Sequence, residues 1–130
     1  GLVTVSAAND RDSVIEIPAT VKYQGVSYRV DELEDSAFAV HPFLKRVVMP
    51  DNPKLHVMKH VFDGSPNLES IYFRSKTPPR LGNAIWKVTM DDIFEALSFR
   101  KIVLYVPKGS KDAYCRSPWG HFTYIVEFEK

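Results

Sequence analysis

The chain has 130 residues, enough for one domain, and at 45% hydrophobic and 12% aromatic it can build an ordered core, which excludes a disordered class. Its 17 basic and 16 acidic residues are scattered to a net charge of +1, without the basic block a nucleic-acid binder needs. No apolar run is long enough to span a membrane, and the single cysteine, Cys115, excludes an intrachain disulfide or a thiolate metal cluster.

In chain order, Leu2-Val3-Thr4-Val5 reads as a first strand, covering the N-terminal edge or remaining from a longer array. Four strand cores follow: Val14-Ile15-Glu16-Ile17, Val47-Val48-Met49, Ile71-Tyr72-Phe73 and Val103-Leu104-Tyr105-Val106. Three of them stop at Pro18, Pro50 and Pro107, since proline has no N–H to give to a ladder. Between the first two cores, Gly25 interrupts the alternation of Val26, Tyr28 and Val30, which predicts a small hairpin or added strand from Lys22 to Val30. Asp35-Ser36-Ala37-Phe38 and Asp91-Asp92-Ile93-Phe94 predict short helical turns, each with an acid or Ser ahead of an apolar pair. A second insertion runs from Pro79 to Thr89, where Leu81, Ile85 and Trp86 suggest a loop with one large ring tucked inward.

The cores belong to a repeat. Phe38, Leu44, Val47 and Met49 are echoed by Phe62, Leu68, Ile71 and Phe73, each 24 residues later. Taking Ile17, Met49, Phe73 and Val106 as equivalent gives spacings of 32, 24 and 33, a 24-residue unit carrying two insertions. A period in the twenties marks a solenoid, whose units bury their apolar faces only against neighbours. From Lys108 the character changes. Lys108-Gly109-Ser110 is a turn into a short helix with Ser110 as the expected N-cap, and Trp119, Phe122, Tyr124, Ile125 and Phe128 have the composition of a cap over an open core. The expected division is one domain, 1–130: N-terminal strands and hairpin insertion at 1–30, repeats at 31–107 and a cap at 108–130, with the repeats ending in this chain.

Alternation along the strands turns Ile15/Ile17, Val47/Met49, Ile71/Phe73 and Leu104/Val106 inward. Glu16, Val48, Tyr72 and Tyr105 then form one outward row, flanked by Arg46 and Arg74. Tyrosine beside arginine is the usual make-up of an interface hot spot, and solenoids work through this face. These six residues are the expected ligand-binding set; the opposing view is plain sheet surface in which Tyr serves strand propensity.

No catalytic or metal site is expected. His56 and His60 stand four apart but lack the Glu of a zincin helix and fall where extended or turn structure is due, so they read as exposed surface histidines. Cys115 and His121 lack an orienting acid, and Cys115 reads as a small packed residue. Asp91 and Asp92 are adjacent and point apart, unlike a glycosidase pair. Arg74, Lys76, Arg80 and Lys87 make the middle of the chain locally basic, which would suit a sulfated glycan or be a solvated loop.

The same residues resemble the BspA-type bacterial leucine-rich repeat proteins of gut and oral bacterial surfaces. The match rests on Ala37-Phe38, Leu44 and Val47-Val48-Met49-Pro50, on Val61-Phe62, Leu68 and Ile71-Tyr72-Phe73, and on an ending of Leu104-Tyr105-Val106-Pro107-Lys108-Gly109-Ser110, Ala113-Tyr114, Trp119, Phe122 and Ile125. It covers roughly residues 14 to 128, departing at Ile93 and at Arg74, which stands where a strand-ending proline would be. The resemblance implies an α/β fold: a short leucine-rich repeat solenoid of three to four turns, with a curved strand face, short helices or turns opposite, and a C-terminal cap. It also implies secretion or surface display, with a signal peptide removed or trimmed, and no cofactor. The expected role is a non-catalytic protein-binding or adhesion module for a host or bacterial extracellular protein or glycan. A carbohydrate-binding module, with Trp86 stacking on sugar, and a structural spacer of a surface protein are the alternatives.

Overall fold

The computed structural model describes residues 2–5, 14–33, 43–59, 67–82, 87–94 and 98–129. The expected helical turn at Asp35-Ser36-Ala37-Phe38, the Val61-Phe62 pair, His60, Ile85 and Trp86 lie outside the described residues.

Among the described residues the architecture is α/β, with two five-stranded sheets, a few short helical turns and no closed barrel. The strands are β1 (Leu2–Val5), β2 (Val14–Glu16), β3 (Thr20–Tyr23), β4 (Val26–Leu33), β5 (Arg46–Met49), β6 (His56–Val57), β7 (Ser70–Phe73), β8 (Arg80–Leu81), β9 (Val103–Pro107) and β10 (Tyr124–Phe128). One sheet runs β10-β9-β7-β5-β2, parallel throughout. The other runs β1-β4-β6-β8, also parallel, with β3 added antiparallel to β4. From β4 to β9 the chain alternates between the two sheets. Parallel neighbours need a crossover, and here a strand of the opposite sheet lies within each crossover from β4 to β8.

The register follows the sequence period. Val47 pairs with Ile71 and Met49 with Phe73, offsets of 24. Leu33 pairs with Val57 and Val57 with Leu81, the same offset in the second sheet. Ile15 pairs with Val47 and Ile71 with Leu104, offsets of 32 and 33 that absorb the two insertions. The first insertion is a hairpin of β3 and β4, closed by Gln24 and Gly25 with φ of 51° and 79°. Two positive φ values are what a type I′ turn demands, and glycine meets the second at no steric cost.

One apolar cluster joins both sheets: Val30, Leu33 and Val57 from one, and Val47, Met49, Ile71, Phe73, Leu104 and Val106 from the other. Residues alternate inward and outward along β5, β7 and β9, so each strand gives every second side chain to this core. Ile17 is buried and Ile15 packs half-buried at the margin. The C-terminal turns close the cluster with rings. Phe73 meets Tyr114 and Trp119 at centroid distances of 4.9 Å each, and Phe94 meets Phe122 at 5.1 Å. Phe99, in the one-turn helix α1 (Ser98–Lys101), packs on Phe122 at 5.1 Å.

Some local expectations hold and others need correction. Ser110 holds the N-cap position of α2 (Lys111–Cys115), yet its hydroxyl turns back to donate to the Pro107 carbonyl at 2.6 Å. The capping acceptor is the Glu127 carboxylate of β10, which receives the Gly109 and Lys111 amides at 2.8 and 3.1 Å. The helical turn near Asp91 is a 3-10 turn over Met90–Asp92, with Thr89 ahead of it donating its amide to the Asp92 carboxylate at 2.9 Å. β9 stops at Pro107 as expected, with the proline as its last residue beside Phe128. Cys115 is exposed, because α2 turns Tyr114 to the core in its place.

Candidate functional site

The outward face of the larger sheet carries the candidate residues. Register places Glu16 beside Val48, Val48 beside Tyr72, Tyr72 beside Tyr105 and Tyr105 beside Val126. A second row runs Val14, Arg46, Ser70, Val103 and Tyr124. Both rows point outward because the residues between them, Val47, Ile71, Leu104 and Ile125, are held in the core.

The rings of Tyr72 and Tyr105 stack with centroids 4.3 Å apart and planes 9° from parallel. That separation is close to the spacing between adjacent strands, so the rings stand on edge, side by side, and each shows one face to the other. On the opposite side of β7, Arg46 from β5 lays its guanidinium over the Tyr72 ring, 5.0 Å from the centroid. Phe128 meets Tyr72 edge-on, at 5.4 Å and 74°. Together these side chains form a ridge, Arg46–Tyr72–Tyr105, in which Tyr72 lies between Arg46 and Tyr105 with both ring faces occupied. Neither phenol has a hydrogen-bond partner among the described residues.

Arg74 and Glu16 make an ion pair across the same face. Arg46 differs. Among the described residues it has no carboxylate partner, and its one specific contact is the Tyr72 ring. The six residues expected from alternation therefore sit together, arranged as two units: the Arg46–Tyr72–Tyr105 ridge and the Glu16–Arg74 pair, with Val48 between β2 and β7.

Alternation also carried residues that belong to this face but read as cap. Tyr124 is 53% exposed and Val126 44%, while Phe128 is half-buried against Tyr72. The signal was present in Tyr124-Ile125-Val126, where one buried residue separates two outward ones. The ring count of the tail, taken as a block, hid it.

Other candidates are dispersed. His56 lies in β6, half-buried, with Nδ1 2.6 Å from the Gly82 carbonyl oxygen, in place of the exposed position expected. His121 is exposed, with Nδ1 2.8 Å from the Pro118 carbonyl oxygen. No group of three His, Cys, Asp or Glu among the described residues could hold a metal ion, and no described helix is long and apolar enough to cross a membrane. A shallow cleft of about 460 Å³ opens elsewhere, between Pro79, Leu81 and Val88 on one side and Ala113, Arg116 and Pro118 on the other.

Asp31 is held by three side-chain hydrogen bonds. The Arg29 guanidinium donates to both of its oxygens, at 2.7 and 2.9 Å, and the buried Asn52 amide adds a 2.5 Å bond. The Arg29 contacts outweigh partial burial and hold the Asp31 carboxyl below the usual carboxylate range. Asn52 also donates to the Val30 carbonyl at 2.8 Å and accepts the Lys54 amide at 2.9 Å, so the cluster clamps β4 to the turn after β5.

No protein-family model matches the sequence, and no curated protein matches it significantly.

Proposed function

We propose that the chain is a short leucine-rich repeat solenoid of the BspA type that acts as a non-catalytic, extracellular protein-binding module through its outward strand face. The observation that carries the reading is the Tyr72–Tyr105 stack with Arg46 over it, both rings half-buried on the outward face of the larger sheet. Tyrosine and arginine concentrate binding energy because each combines a large apolar area with a directional polar group. Val14, Tyr124 and Val126, all exposed, extend the apolar area around the ridge. The solenoid assignment is supported by offsets of 24 recurring in both sheets and by alternation of the chain between them. Placement outside the cell rests on the family resemblance.

Carbohydrate binding has less support on this face. Sugars stack on open ring faces, whereas both sides of Tyr72 are occupied, by Tyr105 and by Arg46.

The test is a screen of the chain against extracellular-matrix proteins, mucins and a glycan array, with the Tyr72→Ala/Tyr105→Ala double variant alongside. A protein ligand lost in the double variant is the expected result. A ligand bound equally by both chains would remove the site assignment, and a purely glycan response would replace it with a carbohydrate module.

A further inference from the structure

We infer that the strand face recognises a carboxylate on an extended, acidic segment of a protein partner, with Arg46 as the anchor. The inference rests on the strand-face reading and adds the chemistry of the ligand to it.

Charge on the face is small and unevenly satisfied. The outward positions of β2, β5, β7, β9 and β10, together with Arg74, carry two cations, Arg46 and Arg74, and one anion, Glu16. Glu16 is spent on Arg74, which leaves one guanidinium without a carboxylate among the described residues. That count separates partner classes. A polyanion such as nucleic acid or a sulfated glycan is held by several cations spread along its backbone. A single free guanidinium fits a single carboxylate, which its planar fork can take through two parallel hydrogen bonds.

The mounting of Arg46 favours this use. Contact with the Tyr72 ring, 5.0 Å from its centroid, restrains the long side chain, and a guanidinium's five N–H donors leave hydrogen-bonding capacity for a ligand. Less rotamer freedom is therefore lost when a ligand is taken up. Ser70, in register with Arg46, and the two phenols, which have no hydrogen-bond partner among the described residues, add donors beside the anchor. Tyr105, Val126 and Phe128 continue the face toward β10 as an apolar strip for the neighbouring side chains of an extended segment.

The experiment pans a random-peptide display library on the immobilised chain, counter-selects on the Tyr72→Ala/Tyr105→Ala variant, and measures selected peptides by fluorescence titration. Asp and Glu are expected to be enriched. Arg46→Gln should weaken binding about tenfold or more, with Arg46→Lys between the two. Replacing the peptide's critical carboxylate by its amide should cost a similar factor on the parent chain and little on Arg46→Gln, because only the pair is being removed. Circular dichroism and melting of each variant separate binding loss from unfolding. Peptides that lack acids and ignore Arg46→Gln, yet fail on the double tyrosine variant, would overturn the carboxylate and leave the strand face standing. Peptides that bind the double variant equally, or no binders at all, would overturn both. Preference for heparin over every acidic peptide would assign the face to polyanions and end the inference.

Discussion

The indole Nε1 of Trp119 donates to the carbonyl of Pro79 at 2.9 Å, across 40 residues of chain. Close by in sequence, the Tyr114 hydroxyl donates to the Ser75 carbonyl at 2.6 Å, across 39. Both side chains are fully buried, and both acceptors lie in the segment between β7 and β8. The C-terminal turns are thus fastened to the middle of the chain by two buried hydrogen bonds as well as by ring packing against Phe73. A buried ring without its polar partner would leave a carbonyl unsatisfied, which is why the same positions cannot be filled by apolar rings at no cost.

Trp119→Phe keeps much of the ring but strands the Pro79 carbonyl, and should cost about 1–3 kcal/mol. Trp119→Ala adds a cavity and should cost about 3–5 kcal/mol. Urea unfolding followed by far-UV circular dichroism measures both; a midpoint unchanged by Trp119→Phe would show that the indole bond contributes nothing net.

Burial, aided by the charge of Asp51, raises the Tyr114 hydroxyl well above the ordinary tyrosine value of 10.0. A folded-state pKa raised above the unfolded one contributes stability that is complete below pH 10 and is lost as pH rises through and beyond it. The chain should therefore lose stability steeply in alkali. Tyr114→Phe, less stable at neutral pH for want of its hydrogen bond, should show a flatter decline between about pH 9 and 11. Parallel declines in thermal scans across that range would exclude Tyr114 as a source.

At the acid end the sign reverses. The carboxyl of Asp31 is held low mainly by Arg29, so its contribution is present above the unfolded carboxylate pKa of about 4 and disappears as pH falls through the lower, folded value. Asp31→Asn should be the less stable chain at pH 6, and the gap should narrow progressively on acidification below about pH 4. A gap independent of pH would mean that shape, rather than charge, matters at this position.

Glu127 reaches from β10 to cap α2, and Glu127→Ala should destabilise the chain by about 0.5–2 kcal/mol. Glu127→Gln, which still offers an amide oxygen, should recover part of that loss. Hydrogen exchange of the Gly109 and Lys111 amides reports the cap directly; unchanged protection in Glu127→Ala would remove Glu127 from that role.

Much of the strand layout was legible because two short-range periods coincide. Alternation identified Val47, Met49, Ile71, Phe73, Leu104 and Val106 as core; the 24-residue echo placed β5 beside β7, and allowing for the second insertion placed β9 beside β7 at an offset of 33. The hairpin followed from Gly25. Capping was less legible. Ser110 has the right residue type at the right position, but competition between its own hydroxyl and a carboxylate from a distant strand is decided by where that strand lies. His56 and Cys115 were misjudged for a similar reason: two residues of strand and one turn of helix carry too little periodicity to say which side faces the core.

The amino-acid sequence by itself determined that Glu16, Val48, Tyr72 and Tyr105 share the outward face of the larger sheet, since strand geometry and the repeat leave them one arrangement; Tyr124, Val126 and Phe128 joined that face only with β10 in place beside β9. Only the tertiary structure decided how they are partnered. Arg46 takes the ring of Tyr72 while Arg74 takes Glu16, because a long side chain can reach any of several neighbours across a sheet, and its choice depends on rotamers and distances fixed only when all five strands are in place.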